Sequence, residues 1–257
     1  MNGAFYIGAT GLEAQQRNLD LIAQNVANVN TGAYKRAEMR FAALVSAPVV
    51  SPEVAPLARS AEEGAGGVTV SGIGRIFAQG DLRQTDKPFD LAISGEGFLE
   101  VLGPGGQTYL WRGGTLKVDE EGLLQTADGL TLKALIDIPA NTTELRIERD
   151  GRVRALVAGD ADFAEVGQLD VVMPDDVALL EAAEGGYFRA PDSLGLRSYH
   201  PGDEGKGVFV QGSLEASNVE LTTELVGLML AQRAYGANAQ IVQAGDQLMA
   251  IANGLRR

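Results

Sequence analysis

The feature that most constrains this chain is a seven-residue hydrophobic repeat at each of its ends. Near the N-terminus the repeat consists of Phe5, Leu12, Leu19 and Val26. Near the C-terminus it consists of Leu221, Leu228, Tyr235, Val242 and Met249. Such a repeat forms one narrow apolar stripe along an α-helix, which is typical of helices that pack lengthwise. We therefore predict two long terminal helices that pair with each other, with two ordinary core helices of one globule as the alternative.

The ends of these helices carry their own signals. The N-terminal helix is expected to end within residues 28–32, where Asn, Thr and Gly tolerate turn geometry. A capping box at residues 217–220 predicts that the C-terminal helix begins there, and the helix should run to about residue 252. Within that helix, three glycines favour either close helix approach or curvature: Gly227, Gly236 and Gly245.

The region between the helices is predicted to be extended at first and then rich in β-structure. Prolines and a glycine-rich run in residues 41–85 indicate an extended linker with short strands at 68–70 and 73–77. In residues 86–210, short apolar segments alternate with glycine turns, which is typical of antiparallel sheets. The clearest strands are predicted at 89–93, 98–101, 115–118, 144–147 and 169–172.

These elements predict an α+β fold with three parts. Residues 1–40 and 211–257 would form a helical domain, residues 41–85 the linker, and residues 86–210 a β-rich domain. The two terminal segments are nearly neutral, so the net charge of −13 lies in the middle of the chain. An acidic middle repels phosphate, which argues against nucleic-acid binding. This charge distribution suits a solvated central domain with neutral terminal helices that pack against other surfaces.

Composition also limits the chemistry that the chain can perform. There is no cysteine, which excludes disulfides and thiolate catalysis. The single histidine, His200, cannot form a typical zinc site, and we expect it to lie in a solvated loop. We therefore expect no catalytic, cofactor-binding or metal-binding residues. A soluble binding module anchored by Trp111 is the rival interpretation, although a lone Trp is more often a core residue.

No apolar stretch approaches the roughly 20 residues that cross a bilayer, so no membrane insertion is expected. Residues 1–20 lack the basic start and continuous apolar block of a secretory signal peptide. If the protein is exported, a route without a cleaved signal is expected.

Three blocks of sequence give the chain a family resemblance. The first comprises residues 10–16, 25–31 and 34–36, the second 79–85, 89–93 and 95–98, and the third 212–219, 232–235 and 238. Together they resemble the flagellar rod and hook axial proteins. Shorter matches at 138–141, 149–151 and 166–169, together with the overall length, make the distal-rod type the nearest group.

The resemblance implies a structural subunit of the tubular flagellar rod in the periplasmic part of the basal body. Such subunits pass through the flagellar export apparatus, pair their terminal helices and polymerise with copies of themselves. Adjacent rod and hook proteins, and the P- and L-rings as a bushing, are the implied partners. The rod would carry torque to the hook. A proximal-rod or hook-type axial protein is the alternative.

Two residues depart from the family pattern. Ala33 stands where the family has glycine before the aromatic residue, and a left-handed Ala would be strained, so we expect the turn to shift to Gly32. Gly236 follows Tyr235 where the family commonly has Glu.

We expect the contacts between subunits to come from both ends of the chain. We predict that Leu228→Asp leaves the β-rich domain folded but blocks incorporation, with motility as the measurement. The expected assembly residues are Leu12, Leu19, Asn25, Val26, Asn28, Thr31, Leu221, Leu228, Gln232, Tyr235, Asn238, Val242 and Met249.

Overall fold

The computed structural model describes residues 2–46, 64–191 and 193–254. The chain divides into two compact units. The helical unit comprises Met1–Ala27, Ala37–Ile76 and Glu220–Arg257, and the β-rich unit comprises Asn28–Arg36 and Phe77–Val219. The predicted linker, residues 41–85, is therefore divided between the two units at residue 76.

The described residues form two α-helices, α1 (Asn2–Ala27) and α2 (Leu221–Gly254). They pack antiparallel, because Phe5 of α1 lies against Gly245 and Ile22 lies against Gly227. The predicted pairing of the terminal helices is confirmed. Neither of these helices is long and apolar enough to span a membrane in its described part.

The closest approach of α1 to α2 runs through glycines that the seven-residue repeat does not include. A Cβ added at Gly8 would lie 2.6 Å from Cγ2 of Val242. One added at Gly11 would lie 2.8 Å from Nδ2 of Asn238. Both distances are shorter than van der Waals contact, so a side chain at either position would have to displace Val242 or Asn238. The helix contact thus includes these two glycines together with Phe5 of the predicted stripe.

Strands β1 (Ala37–Ser46) and β2 (Gly64–Arg75) form an antiparallel two-stranded sheet in the helical unit. Leu21 of α1 packs with Ala37 and Met39 in a small buried cluster, and Val70 lies against it. Such a cluster buries little apolar surface, so this unit has a small core of its own. The strands predicted in the linker at 68–70 and 73–77 fall largely within β2. The linker prolines Pro48, Pro52 and Pro56 lie outside the described residues.

The β-rich unit is built from short strands, and every strand pair in its described residues is antiparallel. In chain order they are β3 Leu82–Gln84, β4 Asp90–Ser94, β5 Leu99–Leu102, β6 Thr108–Trp111, β7 Gly113–Val118, β8 Leu124–Thr126, β9 Thr131–Leu132, β10 Thr142–Ile147, β11 Arg152–Val157, β12 Ala164–Gln168, β13 Val171–Pro174, β14 Glu181–Ala182, β15 Tyr187–Arg189, β16 Leu196–Tyr199, β17 Val208–Gln211 and β18 Ser213–Glu215.

A nine-stranded sheet dominates this unit, in the order β14-β15-β6-β5-β9-β8-β7-β4-β17. A three-stranded sheet, β10-β11-β12, and two strand pairs, β13-β16 and β18-β3, complete the described part. All five clearly predicted strands are present, each displaced by no more than two residues. The α+β class and the antiparallel middle are therefore confirmed.

One predicted glycine turn shows why these positions need glycine. Gly151 connects β10 to β11 with a φ of 87°, in the left-handed region. A Cβ at this position would also collide with the carbonyl oxygen of Leu169. A side chain is thus excluded both by backbone geometry and by space.

The main core of the β-rich unit contains Trp111, which is 5% exposed. Its ring stacks on Tyr187 at 6.3 Å between centroids. Trp111 is therefore a core residue and not an exposed anchor for a ligand. A second buried cluster surrounds Phe98, Leu110 and Phe188.

Two local predictions were wrong. The helix α2 begins at Leu221, and the Ser217 hydroxyl accepts from the Val219 amide (3.3 Å), so residues 217–220 do not form the predicted capping box. The turn before Tyr34 does not shift to Gly32. Ala33 itself adopts a φ of 54°, because its buried amide donates to the carbonyl of Glu215 at 2.8 Å and holds the backbone in place.

Candidate assembly surface

The most exposed apolar surface of the helical unit lies on α2. Leu230 is 60% exposed and Leu248 is 62% exposed, although both are large apolar side chains. Their spacing places them on one side of the helix, with neighbours three, four and seven residues away. We call this surface the exposed face of α2, and its members are Leu225, Val226, Met229, Leu230, Ile241, Leu248 and Ile251.

Helix α2 carries few charged residues, and its exposed polar residues are mainly glutamines. Its charged residues are Glu224, Arg233 and Asp246, and Glu224 is buried. One side of α2 packs on α1, and the opposite side carries the exposed face. Large apolar side chains grouped on a protein surface usually mark an interaction site. The exposed face therefore has the character of an interaction surface.

The structure distributes the predicted assembly residues of α2 between two environments. Asn238 and Val242 contact α1 within the subunit. Leu221 and Tyr235 are exposed, at 45% and 37%. Gln232 is also exposed, whereas Leu228 and Met249 are half-buried.

On α1, the predicted residues Leu12, Leu19 and Val26 are half-buried. Asn25 is only 1% exposed, and its role lies within the helical unit. Its side-chain amide donates to the Ala37 carbonyl and its oxygen accepts from the Ala37 amide, each at 2.9 Å. The same amide donates to the Glu224 carboxylate at 3.3 Å. Asn25 thus connects α1 to β1 and α2.

The two predicted residues after α1 interact with each other. The Thr31 hydroxyl donates to Oδ1 of Asn28 at 3.1 Å, and the Thr31 amide donates to the Asn28 carbonyl at 3.1 Å. These bonds close a local turn after α1.

The β-rich unit contains a buried group of charges that the sequence did not reveal. We call Lys35, Arg112 and Glu215 the ionic cluster. Lys35 Nζ lies 2.6 Å from Oε1 of Glu215, and Arg112 Nη2 lies 3.0 Å from Oε2. The side chains of Lys35, Arg112 and Glu215 are 1%, 4% and 1% exposed. Lys35 and Glu215 lie within matched family blocks, but their sequence positions gave no sign that they meet.

Further hydrogen bonds satisfy the ionic cluster. Lys35 donates to the Ala78 carbonyl at 3.0 Å, and the Gly80 amide donates to Glu215 Oε1 at 2.9 Å. Arg112 donates to the carbonyls of Gly95, at 2.9 Å, and Gly97. Burial lowers the pKa of Lys35, and the neighbouring Glu215 carboxylate opposes that effect. The cluster is therefore a fully bonded structural site.

The geometry around His200 is that of a surface contact with a carboxylate. Its Nδ1 lies 2.9 Å from Oδ1 of Asp170, and the two side chains are 68% and 44% exposed. Gln168 approaches the same nitrogen at 3.4 Å. Within the described residues, no serine hydroxyl bonds to His200, so the arrangement is not a nucleophilic triad.

Comparison with known proteins assigns three regions of the chain to flagellar families. Residues 5–35 match the flagella basal body rod protein family, and residues 92–155 match the D1 domain of the flagellar hook protein FlgE/F/G family. Residues 210–255 match the C-terminal family of the flagellar basal body rod FlgEFG proteins.

Full-length relatives agree with these matches. The flagellar basal-body rod protein FlgG of Agrobacterium fabrum is 34% identical over 96% of this chain and 97% of its own length. The FlgG proteins of Caulobacter vibrioides and Borreliella burgdorferi are each 32% identical, over 98% and 100% of this chain and 99% and 100% of their own lengths. The chain therefore belongs to the family of FlgG flagellar basal-body rod proteins.

Proposed function

We propose that the chain is a structural subunit of the distal flagellar rod, which polymerises with copies of itself and carries torque to the hook. The observation that carries this proposal is the exposed face of α2. A side chain such as Leu230, which is 60% exposed, gains burial only when another surface covers it. Neighbouring subunits in a helical polymer would provide that surface, because head-to-tail contacts that do not close generate filaments.

The predicted assembly residues fit this proposal in three groups, apart from Asn28 and Thr31, which close a local turn. Leu221, Gln232 and Tyr235 are accessible, so we propose that they join the exposed face of α2 in contacts between subunits. Asn25, Asn238 and Val242 act within the subunit, where they would set the geometry of the helix pair. The half-buried residues Leu12, Leu19, Val26, Leu228 and Met249 would border these contacts.

The remaining parts of the proposal concern location and partners. The subunit would lie in the periplasmic part of the basal body and would be delivered by the flagellar export apparatus without a cleaved signal. Adjacent rod and hook proteins would cap the polymer, and the P- and L-rings would surround it. Its role would be mechanical and not catalytic, since His200, the only histidine, lies exposed beside Asp170.

A proximal-rod subunit is the second candidate. The flagellar basal-body rod protein FlgF of Caulobacter vibrioides is 29% identical over 96% of this chain. The FlgG relatives reach 34% over the same share, which favours the distal rod.

The test is localisation of a peptide tag on isolated hook–basal bodies by electron microscopy. An insertion next to Gly159 suits this purpose, because that turn residue has a φ of 104° and open space around its Cα. We expect label on the rod directly below the hook. Label on the hook or on the proximal rod would assign the chain to another axial position, and a tagged protein found free in solution would contradict the proposal.

A further inference from the structure

The ionic cluster lies where two segments of the β-rich unit meet. Residues 28–36 follow α1 in the chain, and residues 212–219 precede α2. The Ala33 amide donates to the Glu215 carbonyl at 2.8 Å, and the Asn218 amide donates to the Tyr34 carbonyl at 3.3 Å. The Arg36 amide donates to Oδ1 of Asn218 at 2.6 Å. We call residues 33–36 and 215–218 the clasp.

Glu215 connects the clasp to the rest of the β-rich unit. Its carboxylate binds Lys35 from one segment and Arg112 from the connection between β6 and β7. The Ala216 amide donates to the carbonyl of Asp81, next to β3. Three distant parts of the sequence therefore converge on one side chain.

The ionic cluster contains two positive charges and one negative charge, so both cations of the cluster depend on the Glu215 carboxylate. Two cations share one carboxylate. Removal of Lys35 leaves Arg112 and Glu215 as a balanced pair, whereas removal of the Glu215 charge takes the shared carboxylate away from both buried cations. Loss of one partner from a buried ion pair is strongly destabilising for this reason.

We propose that Glu215 is a positioning residue for rod assembly. It holds the segment after α1 and the segment before α2 together and fixes both to the β-rich unit of each subunit. The clasp is closed in the single subunit, before any neighbour is present. In the polymer it would carry load between the helices and the β-rich unit. This inference deepens the proposed function and rests on it.

The test is hydrogen exchange, followed by mass spectrometry, on the full-length monomer. In Lys35→Met we expect amide protection in the clasp to fall roughly tenfold, since the balanced pair remains. In Glu215→Gln we expect a fall of roughly 100-fold or more in the clasp. Protection of Leu124 in β8 and Val153 in β11 should stay at the wild-type level in both variants. Lys133→Met, which removes a half-exposed lysine from its pair with Glu100, is the matched control and should change nothing.

The double variant Lys35→Met/Glu215→Gln distinguishes a loss of charge balance in the ionic cluster from a simple loss of packing. It leaves one buried cation instead of two, so we expect it to regain part of the clasp protection lost in Glu215→Gln alone. A simple loss of packing would make the double variant worse than either single variant. That outcome would overturn the inference, as would unchanged clasp protection in Lys35→Met or an equal loss in the β-rich core.

A second measurement connects the clasp to assembly. In cells that express Lys35→Met at the wild-type level, we expect at least a tenfold drop in hook-bearing basal bodies. Normal numbers, together with an open clasp in the exchange experiment, would refute the positioning role. Because the exchange experiment uses the monomer, it tests the clasp even if tag localisation places the wild-type chain outside the rod.

Discussion

At the scale of single residues, a positive backbone φ at Ala33 and a buried hydroxyl at Tyr187 both affect the stability of the fold. Ala33 occupies the left-handed backbone region with a φ of 54°. Tyr187 buries its hydroxyl, which donates to Asp128 at 2.7 Å and lies 2.9 Å from Thr126 Oγ1. Each feature yields a prediction about stability that does not depend on assembly.

We predict that Ala33→Gly stabilises the monomer by about 0.5–1 kcal/mol. The left-handed conformation costs Ala about 1–2 kcal/mol, and the extra freedom of Gly in the unfolded chain offsets about 0.4–1 kcal/mol of that gain. Urea unfolding measures the difference. The matched control is Ala127→Gly, at an exposed turn position without positive φ, which should destabilise the protein. A destabilised Ala33→Gly variant would contradict this account of the turn.

Tyr187 should make stability depend on pH in the alkaline range. Burial raises its pKa from 10.0 to about 12. Between these values the unfolded chain loses the proton while the folded chain keeps it, so stability falls as pH rises from 10 to 12. The loss at this residue should reach about 2–3 kcal/mol, since each unit of pKa shift corresponds to about 1.4 kcal/mol. Tyr187→Phe should remove this part of the pH dependence in urea unfolding.

The control for Tyr187 is Tyr6→Phe, since Tyr6 is 54% exposed in the helical unit. This variant should retain the full alkaline dependence of the wild type. If Tyr187→Phe shows the same slope as wild type, the buried hydroxyl is not its source.

At the scale of elements, α2 is a helix with two apolar sides. The inner side meets α1 through close contacts such as that between Gly11 and Asn238. The outer side carries the exposed face. The same substitution should therefore impair assembly when it is made on the outer side and monomer stability when it is made on the inner side.

We predict that Leu230→Asp and Ala231→Asp separate assembly from folding. Leu230 is 60% exposed, so its replacement should change monomer stability by less than about 0.5 kcal/mol while abolishing motility. Ala231 is 3% exposed, and an unpaired carboxylate there should destabilise the helical unit by at least about 2 kcal/mol. Normal motility of a strain with Leu230→Asp would show that the exposed face is not an assembly contact.

Sequence patterns identified the elements more reliably than their contacts, and α1 shows why. The repeat of Leu12 and Leu19 predicted a helix, because apolar spacing is a local signal. The closest contact with α2 runs through Gly8 and Gly11, which have no side chain and therefore no hydrophobic signal. The prediction for α2 placed Leu221 and Tyr235 on the paired stripe, yet both are exposed, because α2 carries apolar residues on more than one side and their spacing does not show which side is paired.

The ionic cluster was beyond prediction for a different reason. Lys35, Arg112 and Glu215 are far apart in the sequence, and each residue type is normally found at the surface. Only the antiparallel pairing of β3 with β18 and the return of residues 28–36 bring them together. The sequence analysis also did not predict short strands such as β6 and β15. These strands are recognised by their pairing with each other, which a local pattern does not show.

At the scale of the whole molecule, the two units differ in the cores that support them. The β-rich unit has an extensive core around Leu91, Val101 and Trp111. The helical unit has the small cluster around Leu21 and Met39, together with an apolar face that remains in water. The helical unit should consequently be the less stable unit until assembly covers it.

We predict two separate unfolding transitions in the isolated monomer. Far-UV circular dichroism follows α1 and α2, and fluorescence follows Trp111, the only tryptophan, in the β-rich core. The helical signal should be lost at a lower urea concentration than the Trp111 signal. Coincident transitions would mean that the two units fold as one cooperative whole.

The most direct test of the central claim asks whether assembly covers the exposed face of α2. Because the chain has no cysteine, Leu230→Cys introduces a unique thiol, and Asp160→Cys places one at an exposed turn of the β-rich unit as a control. Maleimide labelling is then compared between monomer and isolated basal bodies. We predict that the thiol at position 230 reacts in the monomer and is protected in the rod, while that at position 160 reacts in both. Equal labelling of position 230 in both states would contradict polymerisation through this face.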